Sequence, residues 1–283
     1  MADSLSSAEL NAVKDLLVPL ALKVGSWARH EQLQHFRGHA DLGISTKTSP
    51  GDVVTRVDVE AQRRIAEELR AAYPAFGLLG EEGLTDFDDT DPVWVIDPID
   101  GTHNFVRNYP GFCVSIGLVQ AGESVVGAIY DSASGGVYWA VKGGGAWLGD
   151  ERLRLAEDPP LSHSLLTTNF TESVRDHAAQ QQFFARLAGA SAGVRASGSA
   201  ARDFCFVADG RVDFFWQFGL KAWDVAAGAV IVREAGGSFE IWGGGEDWLR
   251  APQLNVAAGA PRVTGEAREL AAGFGLLDRW ARP

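Results

Sequence analysis

The sequence predicts an α+β fold, because strands follow one another directly in one part of the chain and alternate with helices in another. Between residues 112 and 155, short apolar runs are separated only by turn residues such as Gly122-Glu123, which predicts consecutive strands. Beyond Asp158-Pro159-Pro160, strand and helix patterns alternate. We therefore expect two halves, residues 1–157 and 158–283.

Length and composition allow a substantial core, since the chain has 283 residues of which 46% are hydrophobic. The net charge of −12, from 37 acidic and 25 basic residues, argues against nucleic acid or an anionic membrane as a partner. Cys113 and Cys205 lie in apolar contexts, which favours core positions over a disulfide or a zinc site. Without a signal-like start or an apolar run of about 20 residues, we expect a cytoplasmic protein without a membrane partner.

The first predicted element is a helix from Ala8 to about Trp27, in which apolar residues recur at helical spacing. Pro19 is expected to kink or split this helix. His30, His35 and His39 follow in a polar stretch. We expect solvated histidines in a connection there, since no cysteine or regular helical frame supports a metal site.

Residues 47–52, Lys-Thr-Ser-Pro-Gly-Asp, are typical of a mobile hairpin. A helix is expected next, from about Asp58 to Ala72. Thr55 and Asp58 have the spacing of a capping box. The simplest role for Asp58 is therefore to cap this helix.

A short strand, Phe76–Gly80, is predicted to end at Glu81-Glu82, and an acidic loop spanning residues 86–91 follows it. Four apolar residues, Val93–Ile96, then indicate the end of a buried strand. The consecutive strands expected after this segment cover residues 112–119, 125–130 and 137–140, with a further hairpin at 147–155.

The second half is predicted to alternate strands with helices and to end in a helix. Strands are expected at 165–167, 194–195, 212–216, 238–241 and 255–258, and helices at 173–187, from 200 to 207, at 224–235 and at 266–272. Gly236-Gly237 is expected to end the helix at 224–235.

Two carboxylates, Asp97 and Asp100, follow the buried strand at residues 93–96 and bracket Pro98, and Gly101-Thr102 comes next. Carboxylates at a strand end suit a hard cation, and free N–H groups at a helix start suit an anion such as phosphate. A solvated surface turn would explain the same residues equally well. This segment alone therefore leaves both interpretations open.

Three other motifs, taken together with residues 94–105, WVIDPIDGTHNF, favour the ion-binding site over the solvated surface turn. They are GDVVTRVD at 51–58, GEEG at 80–83 and WDVAAG at 223–228. In this order, the four motifs resemble those of the inositol monophosphatase family of magnesium-dependent, lithium-sensitive phosphatases, from about Lys47 to Gly237. The resemblance implies a layered αβαβα sandwich.

The resemblance also implies a metal site with two magnesium ions, and it allows a third, weaker one near Glu81. Glu81, Asp97 and the Ile99 carbonyl would hold the first ion. Asp97, Asp100 and Asp224 would hold the second, with Asp97 bridging. Without the resemblance, Asp224 would be an ordinary helix cap and Glu81 a surface acid.

Catalytic and phosphate-binding roles follow from the same resemblance. Thr102, hydrogen-bonded to Asp58, would orient a water for attack on phosphorus, with Glu81 assisting at the metal. The N–H groups of Gly101 and Thr102 would bind phosphate. Lys47 matches a loop lysine placed near the site.

Substrate contacts are expected from three places. Inositol monophosphatases carry a substrate-binding glutamate seven residues before the metal-binding aspartate of the last motif, and here that position is Gln217. Its amide offers both a donor and an acceptor to hydroxyls. Ser197, Gly198 and Ser199 match the leaving-group segment, and His103 occupies a variable position of the family.

The leading hypothesis is magnesium-dependent hydrolysis of a small phosphate monoester, with inositol monophosphate as substrate and a homodimer as the assembly. The alternatives within the class are histidinol-phosphate phosphatase, fructose-1,6-bisphosphatase and 3′-phosphonucleotide phosphatase. A non-catalytic regulatory protein is the alternative from another class, because some relatives act through RNA-polymerase or ribosome partners. The complete set of acids opposes that alternative.

Overall fold

A computed structural model describes residues 4–47, 53–87, 92–155, 157–170, 177–243 and 247–277. Its helices are α1 Ser7–Phe36, α2 Arg56–Ala72, α3 Thr102–Arg107, α4 Ala178–Ala190, α5 Ala200–Ala208, α6 Ala222–Glu234 and α7 Pro261–Gly273, with a 3-10 turn at Leu161–His163. No helix among these residues is long and apolar enough to cross a membrane.

Two large sheets and one short hairpin contain the strands. The hairpin pairs β1 Ser45–Thr46 with β2 Val53–Val54. The first sheet has the order β10-β9-β8-β7-β6-β5-β3-β4, from β3 Gly77–Gly80, β4 Leu84–Asp86, β5 Val93–Asp100, β6 Cys113–Gln120, β7 Glu123–Asp131, β8 Gly136–Val141, β9 Gly145–Leu148 and β10 Glu151–Leu153. Its neighbours pair antiparallel except β3 and β5.

The second sheet has the order β12-β11-β13-β15-β14, from β11 Leu165–Thr167, β12 Gly193–Arg195, β13 Phe214–Leu220, β14 Ser238–Trp242 and β15 Leu254–Gly259. Strand β11 runs parallel to β12 and β13, whereas β15 runs antiparallel to β13 and β14. The parallel part is built by strand–helix alternation, and the antiparallel strands close the sheet.

Alternating side chains on the strands build a five-layer sandwich. On β5, Trp94 packs with α1 and α2, whereas Val95 packs in the opposite direction, with α5 and α6. On β13, Phe215 faces the same middle helices, whereas Trp216 packs with α4 and α7. The layers are therefore α1/α2, first sheet, α5/α6, second sheet and α4/α7, which confirms the predicted αβαβα sandwich.

Helix α6 lies unusually close to the first sheet because glycines face it. A Cβ added at Gly117 would come 2.9 Å from the Ala226 Cβ, and one added at Gly127 would come 2.7 Å from the Ala227 carbonyl. Residues of α6 also pack with the second sheet. The predicted halves thus share a helix layer, and their boundary at residue 157 stays a prediction.

The prediction for the first helix was wrong at its end. Helix α1 continues to Phe36 with Pro19 inside it, so His30 and His35 lie in the helix and not in a connection. Ala28 and Gln32 are both fully buried, and the Gln32 side chain donates to the Phe105 carbonyl at 2.7 Å. A polar residue therefore occupies the buried stripe, which hides the periodicity.

Smaller differences concern element ends in the second half. Strand β13 extends to Leu220, so Gln217 lies inside a strand and not in a connection. Helix α6 begins at Ala222, which makes Asp224 its third residue and Lys221 its cap. Helix α7 begins five residues early, with Pro261 in its first turn. Parts of three predictions lie outside the described residues: hairpin residues 48–52, acidic residues 88–91 and helix residues 173–176.

Candidate active site

Strand β5 brings two acids to one side of its end through a bulge. In a regular strand, residues three apart point to opposite faces. Here Asp97 pairs with Ser115 and Asp100 with Cys113, so three steps on β5 match two steps on β6. Pro98 has no N–H to donate to the ladder, and the extra residue turns the strand. Both carboxylates can therefore face the same site.

Asp224 joins these acids from the first turn of α6. One carboxylate oxygen from each of Asp97, Asp100 and Asp224 lies within 4.8 Å of the others. Glu81 directly follows β3, the parallel neighbour of β5, and its N–H donates to the Ile96 carbonyl at 3.2 Å. The adjacent ends of β3 and β5 thus place Glu81 beside Asp97, and its role as a metal ligand stays a prediction.

Hydrogen bonds hold one oxygen of each aspartate. The Ile99 N–H donates to Asp97 Oδ1 at 3.1 Å. The Ser199 hydroxyl donates to Asp100 Oδ2 at 2.7 Å, and the Ala201 N–H donates to the same oxygen. The Lys221 N–H donates to Asp224 Oδ2 at 2.6 Å. These contacts fix the three carboxylates but leave much of their negative charge unbalanced.

Burial and mutual repulsion both raise the pKa values of these acids. Burial raises the pKa of Asp97 well above its ordinary value, and repulsion from Glu81, Asp100 and Asp224 adds to the effect. Burial also raises the pKa of Asp100 to about 6, against hydrogen bonds from Ser199 and Ala201. For Asp224, burial and then the charge of Asp100 raise the pKa to about 8. A cluster of buried carboxylate oxygens that repel one another fits a hard divalent cation.

Lys47 lies at the Glu81 edge of this cluster. Its Nζ is 2.9 Å from Glu81 Oε1 and 2.7 Å from Glu82 Oε1. Burial alone would lower the pKa of Lys47, but the Glu81 charge and hydrogen bonds to both glutamates outweigh it and raise the pKa. Lys47 therefore remains a cation beside Glu81.

Asp58 uses its two oxygens for two different contacts. Its Oδ2 accepts from the N–H and hydroxyl of Thr55, which confirms the capping box. Its Oδ1 lies 3.2 Å from Thr102 Oγ1, and that hydroxyl is also 3.0 Å from the Ile99 carbonyl. Burial raises the pKa of Asp58 to about 7, against the Thr55 hydrogen bonds. Asp58 is thus a helix cap and the acceptor beside Thr102.

The turn that follows Asp100 needs glycine. Gly101 has φ +90°, in the left-handed region, and precedes α3. A Cβ there would lie 3.0 Å from the Gly198 carbonyl and 3.2 Å from the Ser199 Cβ. The missing side chain lets residues 197–199 approach the acids, so Gly101, Gly198 and Ser199 lie together.

The sequence matches the profile described as "Inositol monophosphatase family" over residues 12–273. The chain belongs to the inositol monophosphatase family.

Individual relatives match most of the chain. It is 38% identical over 264 residues to the Nus factor SuhB of Pasteurella multocida, covering 91% of this chain and 94% of that protein. It is 39% identical over 243 residues to the inositol-1-monophosphatase of Mesorhizobium japonicum, covering 84% and 89%. The crystal structure of the extragenic suppressor protein suhB from Bartonella henselae matches with a TM-score of 0.81 at 32% identity, covering 92% and 98%.

Two asparagines that sequence reasoning missed hold the site of this family member together. The buried Asn104 side chain donates to the Gly111 carbonyl at 2.7 Å and the Ser197 carbonyl at 2.8 Å. Asn169 accepts from the Gly198 N–H at 2.7 Å. Asn104 lies within the central motif and Asn169 follows a predicted strand, and these positions are the signals that could have identified them.

The remaining predicted substrate residues occupy different environments. Gln217 is only 6% exposed, and its Oε1 accepts from Asn169 at 2.9 Å. The Ser197 hydroxyl donates to the Ser199 carbonyl at 2.9 Å, which shapes the 197–199 segment. His103 is exposed on α3. The substrate roles of these residues stay predictions.

Proposed function

We propose that this chain is a magnesium-dependent phosphatase that hydrolyses a small phosphorylated polyol, with inositol monophosphate as its main substrate. The observation that carries the proposal is the close approach of Asp97, Asp100 and Asp224 next to the Asp58–Thr102 pair. The first group offers oxygen ligands for a hard cation, and the second offers a positioned hydroxyl.

Glu81, Asp97 and the Ile99 carbonyl would hold one magnesium ion, and Asp97, Asp100 and Asp224 a second. Such ions, when bound, withdraw charge from phosphoryl oxygens and make water more acidic. A third and weaker ion would bind near Glu81, where Lys47 already supplies one positive charge.

The chain's own groups then orient the reactants. The Thr102 hydroxyl donates a hydrogen bond to Asp58 Oδ1, which leaves the threonine lone pairs to accept a hydrogen bond from the attacking water. The N–H groups of Gly101 and Thr102 face phosphate oxygens at the start of α3. Residues 197–199 and Gln217 border the leaving group, and His103 lies at the rim.

A homodimer is proposed from the family resemblance, and light scattering would test it.

A second candidate is a regulatory protein that acts through a macromolecular partner. It is favoured by one observation, the name Nus factor carried by the relative from Pasteurella multocida. The acidic set Glu81, Asp97, Asp100 and Asp224 favours catalysis instead, because a purely structural role would not require four acids to repel one another at one site.

Phosphate release separates these candidates. The substrates are inositol 1-phosphate, histidinol phosphate, fructose 1,6-bisphosphate and adenosine 3′,5′-bisphosphate, each with and without magnesium, and kcat/KM is compared. We expect magnesium-dependent release with inositol 1-phosphate preferred. A higher kcat/KM for another of these esters would mean that this ester, and not inositol monophosphate, is the main substrate.

Metal binding by calorimetry provides the second readout. We expect Asp97→Asn to lose magnesium binding, while the matched control Asp150→Asn, in an exposed turn, keeps it. If no ester releases phosphate and magnesium does not bind, the phosphatase proposal is wrong and the regulatory candidate remains.

A further inference from the structure

The side chain of Gln62, on α2, holds the backbone of Glu82 at two points. Its Oε1 accepts from the Glu82 N–H at 2.9 Å, and its Nε2 donates to the Glu82 carbonyl at 3.1 Å. Gln62 is only 6% exposed, and this one residue satisfies both ends of its amide. The amide therefore fixes the two peptide groups that join Glu82 to Glu81 and to Gly83.

A neutral amide suits both of these contacts. A backbone N–H can only donate and a carbonyl can only accept, so the side chain between them must carry one acceptor and one donor. An ionised carboxylate lacks the donor, and an aliphatic side chain lacks both groups. The residue type at position 62 is thus matched to the turn that it holds.

Gly80 makes room for this amide. A Cβ added at Gly80 would come 2.3 Å from Gln62 Oε1 and 2.8 Å from Gln62 Cδ, which is shorter than a van der Waals contact. Because two hydrogen bonds fix the amide, it cannot move away without losing them. The first glycine of the GEEG motif at 80–83 therefore lets α2 reach the turn.

Strand β5 holds the same turn from the other side. The Glu81 N–H donates to the Ile96 carbonyl at 3.2 Å, and the Gly83 N–H donates to the Glu81 carbonyl at 2.9 Å. The Glu81 side chain faces Asp97: burial raises the pKa of Asp97, and the charge of Glu81 and a hydrogen bond between the two side chains raise it further. The backbone of this turn therefore decides where the Glu81 carboxylate lies in the acidic cluster.

Helix α2 also carries Asp58, one turn before Gln62. Both residues are buried on the same face of the helix, and Asp58 Oδ1 lies 3.2 Å from Thr102 Oγ1. Burial raises the pKa of Asp58, and the charge of Glu81 acts in the same direction, so the two acids lie near each other. One helix thus contacts both the hydroxyl of Thr102 and the turn that carries Glu81.

Lys47 supports Glu81 in a different way. Its Nζ lies 2.9 Å from Glu81 Oε1, so it uses an oxygen and a charge that a bound cation would also need. Gln62 reaches the turn through backbone groups of Glu82. Its support is therefore compatible with a cation on the Glu81 carboxylate.

We propose that Gln62 is a positioning residue that sets Glu81 for cation binding at a fixed distance from the Asp58–Thr102 pair. It acts through the backbone of Glu82 and touches neither the cation nor the ester. This inference rests on the proposed magnesium-dependent phosphatase function. It adds a residue that supports the ion at Glu81 and not the ion at Asp100 and Asp224.

Calorimetric titration of the metal-free protein with magnesium tests the proposal. Glu81→Gln first identifies the part of the magnesium binding that depends on Glu81. Gln62→Met keeps an unbranched side chain of similar length but removes both hydrogen bonds, and should weaken that same part about tenfold, as is typical when a partner of a metal ligand is lost. The magnesium concentration for half-maximal phosphate release should rise by a similar factor.

The double variant shows whether Gln62 acts through Glu81. In a Glu81→Gln background, Gln62→Met should cause no further loss of magnesium affinity, because the ligand that it positions is already altered. A further loss of similar size would mean that Gln62 supports the remaining aspartates by another route, and would overturn the proposal.

A substitution on the same helix controls for a purely structural role. Ile65 is fully buried and lies in the core between α1, α2 and the first sheet. Ile65→Val should lower Tm without changing magnesium affinity. If Gln62→Met lowers Tm and binds magnesium as tightly as the wild type, its role is structural and the proposal is wrong.

A milder substitution keeps the test decisive if Gln62→Met does not fold. Gln62→Asn retains the amide but is one methylene too short to keep both contacts with Glu82, and it should weaken the same part of the magnesium binding. Unchanged magnesium affinity in that variant would overturn the role of Gln62 alone. Absence of magnesium binding and of phosphate release in the wild type would instead refute the proposed function itself.

Discussion

A single buried aspartate, Asp203, and a cluster of three aspartates, Asp97, Asp100 and Asp224, differ in how their negative charge is balanced. Asp203 is fully buried, but Thr167 donates to one of its oxygens and Asn169 to the other, each at 2.8 Å. Asp97, Asp100 and Asp224 instead point oxygens toward one another.

The comparison shows that burial alone does not mark a metal site. Burial raises the pKa of Asp203 to about 7, but hydrogen bonds from Thr167, Ser197 and Asn169 oppose the shift. At Asp97, repulsion from three other acids adds to burial. A structural carboxylate is surrounded by donors, whereas a candidate metal ligand faces other carboxylates.

The largest expected effect is at Asp97. Asp97→Asn should reduce kcat/KM at least about 1,000-fold, which corresponds to roughly 4 kcal/mol of barrier, and should abolish magnesium binding. Because the substitution also removes repulsion, the metal-free variant should be at least as stable as the wild type. The measurements are phosphate release, calorimetry with magnesium, and thermal unfolding.

Asp203→Asn is the matched comparison for that experiment. It removes a buried charge of the other kind, so it should lower Tm but leave magnesium affinity within a few-fold of wild type. Activity of Asp97→Asn within about tenfold of wild type, a barrier change of only ~1.4 kcal/mol, would contradict the two-metal assignment.

The next effect concerns the hydroxyl beside the cluster. Thr102→Val keeps the side-chain shape but removes the hydroxyl, and should lower kcat about 100-fold or more with little change in KM. Asp58→Asn should behave alike. The double variant should be no worse than either single one if the two act as a unit, and fully additive losses would mean that Asp58 acts only as the cap of α2.

A smaller effect is expected from lithium. The family resemblance implies that lithium replaces magnesium at the Asp97-Asp100-Asp224 site after the ester bond is cleaved, so inhibition should become stronger at saturating substrate. Steady-state rates across lithium and substrate concentrations measure this pattern. Complete insensitivity at tens of millimolar lithium would exclude ion replacement but not phosphatase chemistry.

The family motifs allowed the acids to be predicted, but not the residues that support them. Asp97 and Asp100 lie at the end of a buried strand and Asp224 in the first turn of a helix, and each belongs to a short motif of the family within its own segment. Asn169 contacts Asp203 and Gln217 at separations of 34 and 48 residues. No local pattern encodes such contacts, because they depend on how the second sheet packs on α5.

The end of α1 was missed for a related reason. Its final turns bury Gln32 instead of a hydrophobic residue, and the amide is satisfied by the Phe105 carbonyl 73 residues away. Sequence periodicity counts apolar residues, so it ends where tertiary hydrogen bonds begin to satisfy polar ones. The layered fold was nevertheless predicted, because the motifs identify a family and strand alternation is strong elsewhere.

The smallest effect is on the pH dependence of stability, and it compares the aspartate cluster directly with Asp203. Burial and like charges raise the pKa of Asp224 to about 8, and burial raises that of Asp100 to about 6. An acid whose pKa is raised by folding holds a proton that the unfolded chain releases. The contribution of this bound proton to the free energy of unfolding is therefore lost as the pH rises through the pKa of the acid in the folded state.

Metal-free protein should accordingly lose several degrees of Tm between pH 5.5 and 8.5. Asp203, with a pKa of about 7, contributes to this loss as well, but its donors are part of the protein and do not depend on magnesium. Saturating magnesium should therefore raise Tm more at pH 8.5 than at pH 5.5, because it replaces protons at the acidic cluster only. Asp97→Asn should remove this difference, whereas Asp203→Asn should preserve it. An equal effect of magnesium at both pH values would mean that the raised pKa values of the cluster are not linked to cation binding.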